Sequence, residues 1–174
     1  MMFVISIVLA SIGSLLIVWW AVRGNMQPVH DIEEVRKLLQ PIDLQSFQNL
    51  IDPAQDMYLR RRLRGRAFRT VQRARRVAAA EYLWRLAQNA GILVRAGQCA
   101  RTAANAQVAS AGRNLASVAV ITRVLALLAL ARLSIGIAFP QTTARCKPIL
   151  EQYDVMTTMY MRLGLLWRSR RPAT

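Results

Sequence analysis

Nine arginines fall between residues 60 and 76, in the run RRRLRGRAFRTVQRARR. If this run is helical, Arg62, Arg66, Arg69, Arg73 and Arg76 follow spacings of four, three, four and three. At 3.6 residues per turn they stay close to one line, about 21 Å long. Like charges four residues apart repel on a helix, so a partner or solvent screening must offset them. Two partners have the right chemistry: anionic lipid headgroups on a membrane leaflet, or the phosphates of a nucleic acid. Phe68 is the one aromatic residue in the run. Base stacking therefore has little support, and nucleic acid is not the expected partner. A solvated face, opposite the Leu59–Ala78 seam, is the preferred reading, with lipid next and nucleic acid last.

Other chemistry is scarce. His30 is the sole histidine, and Cys99 and Cys146 are the only cysteines. Two cysteines 47 apart with one histidine make no zinc spacing. They read as small apolar residues, kept as free thiols in a reducing compartment. No Asp or Glu occurs between Glu81 and Glu151, so paired carboxylates for acid–base work are lacking there. Asp31, Glu33 and Glu34 read as acidic residues on the positive end of a helix. Glu81 pairs with Arg85, four residues on. No glycine-rich phosphate loop follows a strand. The sequence thus offers no catalytic, cofactor-binding or metal-ligating set, and the expectation is a protein that is not an enzyme and takes no cofactor.

What must position the arginines is set first by the start of the chain. Residues 1–22, MMFVISIVLASIGSLLIVWWAV, carry no charged side chain, and Arg23 follows. About 20 apolar residues in a helix cross the hydrocarbon core of a bilayer. Trp19 and Trp20 fall where indole rings favour the headgroup level. A cleaved secretory signal is the main rival. It would carry a basic start, a shorter apolar core and a small-residue cleavage site. None of these is seen, so an uncleaved anchor over 1–23 is expected. Arg23, Arg36 and Lys37 follow the run, which places the C-terminal side in the cytoplasm. The expected location is the plasma (inner) membrane, single-pass.

The net charge is +15, with 24 Lys and Arg against 9 Asp and Glu. Only Lys37 and Lys147 are lysine. A GC-rich genome that encodes Arg for every basic need is the preferred explanation; phosphate recognition by the planar guanidinium is the sharper one, and both can hold together.

Residues 24–52 read as a juxtamembrane linker with two short helices. Asp31 and Glu34 resemble a capping box opening the first, which Pro41 ends. Asp43 caps the second, with Leu44, Phe47, Leu50 and Ile51 inward. Asp52-Pro53 is the best helix start in the chain, with Gln55 completing a capping box. A long helix is expected from 53 to about 96. Leu59, Leu63, Ala67, Val71, Ala74 and Ala78 form its packing seam, and Gly65 is a candidate bend. A break is expected within 97–112. Pro148 starts a last helix to 168, with Ile149, Tyr153, Met156, Tyr160, Leu163 and Trp167 on one stripe. Residues 169–174 are a basic tail.

Between them, 113–139 is apolar on nearly every face, with Arg123 and Arg132 as interruptions. A second membrane span would put Arg123 near mid-bilayer, at a cost of about 2.5–3.5 kcal/mol. A helix buried in the middle of a bundle is preferred, with Leu125, Leu128 and Ile135 in its core. Ala116, Ala119, Ala126 and Ala129 would allow close packing.

The expected architecture is all-α: one N-terminal transmembrane helix, then a cytoplasmic antiparallel bundle over 53–168, a long hairpin plus one further helix. The expected role is a membrane-anchored, non-catalytic interaction or scaffold module. Its partners would be the lipid bilayer, anionic headgroups at the five arginines, and a protein not identified by sequence. The alternatives are a multi-span subunit of a transport or secretion assembly, with 113–139 as its second span, or anionic lipid or nucleic-acid binding through the 60–76 arginine cluster.

Overall fold

The computed structural model describes residues 32–138 and 147–168, all helical or short connections, with no strand among them. The anchor run, His30, Asp31, Cys146 and the basic tail lie outside the described residues. Six helices follow in order: α1 (Ile32–Leu38), α2 (Leu44–Ile51), α3 (Pro53–Arg62), α4 (Gly65–Arg101), α5 (Ala106–Ala138) and α6 (Lys147–Arg168).

The short helices start and stop where local chemistry says they should. α1 ends two residues before Pro41's neighbour Gln40. The Asp43 carboxylate accepts from the backbone N–H groups of Gln45 and Ser46, each at 3.0 Å. It also takes the Ser46 hydroxyl at 2.6 Å. These hydrogen bonds, the Ser46 hydroxyl foremost, hold the Asp43 carboxyl below the ordinary carboxylate range. Asp52 caps α3 through the Ala54 N–H at 3.0 Å, with Pro53 in the first turn.

The single long helix expected from residue 53 is two helices. Leu63 and Arg64 are extended, and Gly65 has φ +57°. That left-handed value suits a residue without Cβ. Arginines at 60, 62, 64 and 66 would also set two like-charged pairs four apart on an unbroken helix, which is unfavourable. The break separates them. α4 then runs on to Arg101, beyond the expected end, and the turn falls at residues 102–105. Asn105 accepts from the Gln107 and Val108 N–H groups at the start of α5.

α4 and α5 make the most extensive contact, and α6 packs chiefly on α5. Ala100 lies by Gly112, Gly97 by Ala116 and Gly91 by Arg123, so the two helices run past each other in opposite directions. Backbones meet directly at the crossing: a Cβ on Gly97 would sit 2.7 Å from both the Ala116 nitrogen and the Gly112 oxygen. Ala119, Ala126 and Ala129 are buried, which keeps the helices close.

The core has two parts. One gathers Val35, Ala90, Leu93, Ala96, Ala100, Leu115, Ala119, Met156 and Leu163. The other gathers Phe47, Ala79, Leu83, Leu86, Ala126, Leu133, Ile149 and Leu150. Tyr153 packs against both. The α6 stripe is as expected, with Ile149, Met156 and Leu163 buried and Tyr153, Tyr160 and Trp167 half-buried around them. Val35 of α1 and Phe47 of α2 are fully buried, so both short helices are docked on the bundle.

Two expectations about packing fail. The seam from Leu59 to Ala78 is no core: Ala67 and Ala74 are exposed and the other four are half-buried. Burial on α4 starts at Ala79. On α5, Leu128 is 45% exposed, and Val120 and Ile121 are alike, so the helix is not enclosed on every side. Leu125 is half-buried, and the Ile135 side chain lies outside those described. Helices α4 and α6 cover two flanks of α5, and its third faces outward.

Candidate anion-contact surface

The break after Arg62 redistributes the arginine line. Arg62 closes α3, while Arg66, Arg69, Arg73 and Arg76 stand on the first turns of α4. Arg66, Arg69 and Arg73 are exposed on one flank, spread over about 10 Å of helix. Arg76 is half-buried and engaged by the protein. Arg62 is exposed, and its guanidinium stands 5.4 Å from the centre of the Tyr58 ring, one turn back. The five residues therefore do not share one helical line. Arg60, Arg61 and Arg64 are exposed beside them, giving a broader cationic surface around the α3–α4 joint.

Arg75 has a different task, and nothing in the sequence marks it off from its neighbours. Its guanidinium donates to the Asn49 and Leu50 carbonyls at 2.9 and 3.0 Å, at the end of α2. Its Nε lies 3.7 Å from the Asp56 carboxylate on α3. One arginine thus ties α2 and α3 to α4 and fixes where the exposed arginines stand. It satisfies helix-end carbonyls that would otherwise lack partners.

A second polar hub lies deeper. Asn89 is 1% exposed. Its side-chain oxygen accepts from the Gln40 N–H at 3.0 Å. Its nitrogen donates to the Gln40 carbonyl at 2.8 Å and to the Tyr153 hydroxyl at 3.2 Å. Both halves of the amide are used, as a buried polar group requires. Burial pushes the Tyr153 phenol up, and the Asn89 bond only partly opposes it.

Along α4 the arginine surface passes into a shallow, open region lined by Thr70, Arg73, Ala74, Val77, Ala78 and Glu81. Glu81 is bonded to Arg85, as the spacing predicts. Among the described residues no group of three or more His, Cys, Asp or Glu is placed to hold a metal ion. Cys99 is a half-buried free thiol. What the surface offers chemically is charge: exposed guanidinium groups on a rigid helix end, with few carboxylates near them in the sequence. Among the described residues one helix, Ala106–Leu133 within α5, is long and apolar enough to cross a membrane. No protein family, curated protein or solved structure matches this chain.

Proposed function

We propose that this chain is a membrane-anchored, non-catalytic interaction module, held by residues 1–22 with an antiparallel helical domain on the cytoplasmic side. The observation that carries the reading is the uncharged run 1–22, followed at once by Arg23. The rival is a second span through α5. The packing argues against it. α4 lies along α5 and carries Glu81, Arg85 and Arg95, which could not enter hydrocarbon beside it. For α5 to span, its pairing with α4 must be lost.

Removing residues 1–23 is expected to turn the protein from one that resists alkaline carbonate into one that carbonate releases to the soluble or aggregated fraction. Carbonate extraction of the truncated chain checks this. A truncated chain that still resists extraction would make α5 a span and end the single-anchor reading.

The arginine surface is the proposed contact with acidic lipid headgroups. Changing Arg62, Arg66, Arg69 and Arg73 together to Gln removes charge from exposed positions and keeps helix propensity. Arg76 is left in place because the protein engages it. Vesicle co-sedimentation of the truncated domain is expected to fall with these changes and with rising salt, because screening sets in beyond about 8 Å at physiological ionic strength. Retention on nucleic acid but not on acidic vesicles would redirect the surface to that partner.

A further inference from the structure

The outward face of α5 changes character half-way along. After Ala106 at its start, its exposed residues are Gln107, Ser110, Arg113, Asn114 and Ser117, all polar. From Val120 onward they are apolar: Val120 is 44% exposed, Ile121 48% and Leu128 45%, with Ala131 exposed and Val124 and Leu125 half-buried between them. The apolar part is about 17 Å long, three helical turns. Isolated apolar residues on a surface need no explanation, but a contiguous strip does. Exposed arginines bound it, Arg113 before and Arg132 after. On the neighbouring α4, Trp84 is 45% exposed. It lies seven residues before Gly91, which faces Arg123, so it stands level with the last turns of the strip.

We propose that this face, Val120 to Arg132 with Trp84, lies in the headgroup–acyl boundary of an acidic bilayer. The proposal rests on the anchor reading and adds which side of the domain meets the membrane. Three turns are too short to cross about 30 Å of hydrocarbon, but suit the shallow immersion of an interfacial helix. The charge is complementary. No carboxylate occurs between Glu81 and Glu151, a stretch that contains all of α5 and most of α4. Trp and Arg at the margins of an apolar strip are the side chains that bridge acyl chains and phosphates. A second copy of the chain is disfavoured as occupant by its own +15 charge.

The test uses the full chain in vesicles of phosphatidylcholine and phosphatidylglycerol, with Cys99→Ala and Cys146→Ala. Nitroxide labels are placed singly at I121C, L128C, T158C and L15C, and their collisions with oxygen and a water-soluble nickel chelate are measured. Thr158 is exposed on α6 and Leu15 is mid-anchor. Circular dichroism checks that each labelled chain keeps its helix content. The expected result is a several-fold higher oxygen-to-nickel ratio at 121 and 128 than at 158, with depths at the boundary, and a deeper position at 15. Water-like values at 121 and 128 with a deep label at 15 overturn the docking face and leave the anchor standing. Water-like values at all four overturn both. Mid-bilayer depths at 121 and 128 make α5 a span instead. Shielding of 121 and 128 from both probes assigns the face to a protein occupant, a second copy or residues 1–22, and overturns the lipid assignment.

Discussion

Leu86→Ala is expected to lower the unfolding free energy by about 2–5 kcal/mol, and Leu128→Ala by no more than about 1 kcal/mol. The two leucines sit on the paired helices α4 and α5, Leu86 in a stretch that mixes polar and apolar residues and Leu128 in the more apolar one. Leu86 is fully buried beside Phe47, Ala126 and Leu150 in the second core cluster, so truncation leaves a cavity with walls from several helices. Leu128 points outward and already shows almost half its surface to solvent. Urea unfolding of both variants followed by circular dichroism decides the matter. Equal losses would mean that α5 is rotated relative to the arrangement described, with Leu128 turned into the core.

Gly97→Ala is the second large effect. The added Cβ would come within 2.7 Å of backbone atoms on two residues of α5, and backbone cannot turn aside as a side chain can. The helices must part by several tenths of an ångström over their closest crossing, loosening Ala100, Leu93 and Leu115 around it. A destabilisation of about 1–3 kcal/mol is expected, in the range for overpacking. Gly164→Ala on α6 should have the opposite sign. Nothing lies within 4 Å of the Cβ it would add. A helical Ala in place of Gly gains about 0.5–1 kcal/mol. Thermal melts of the two variants, run side by side, check both signs, and a Gly97→Ala chain that melts no lower than the parent would refute the close crossing.

What the sequence makes legible here is local. Pro41, Asp43 and Asp52-Pro53 mark helix ends through contacts within three residues, and those ends stand where expected. The α6 stripe is legible because its polar and apolar sides differ. The seam from Leu59 to Ala78 misleads for the complementary reason. Leu and Ala at spacings of four and three look alike whether or not a partner helix reaches them, and burial on α4 begins only at Ala79. From Val120 on, α5 gives no phase of its own: there nearly every face is apolar, only the neighbours decide which one turns inward, and the expectation that Leu128 lies in the core fails. The arginine cluster shows both limits. Its charge is plain in the sequence, but Arg75 differs from Arg73 and Arg76 only through partners on α2 and α3. Asn89 is hidden similarly, since its partners lie 49 and 64 residues away.

Those separations also order the assembly of the domain in time. The α4–α5 pair closes across a four-residue turn and can form early, because short loops lose little chain entropy on closure. Asn89 completes its bonds only when Gln40 and Tyr153 arrive from opposite ends of the chain. It is therefore among the last contacts to close. When the domain opens by fluctuation, the short helices α1, α2 and α3, which touch the hairpin least, are the pieces set to leave first, with the hairpin persisting as the more durable unit.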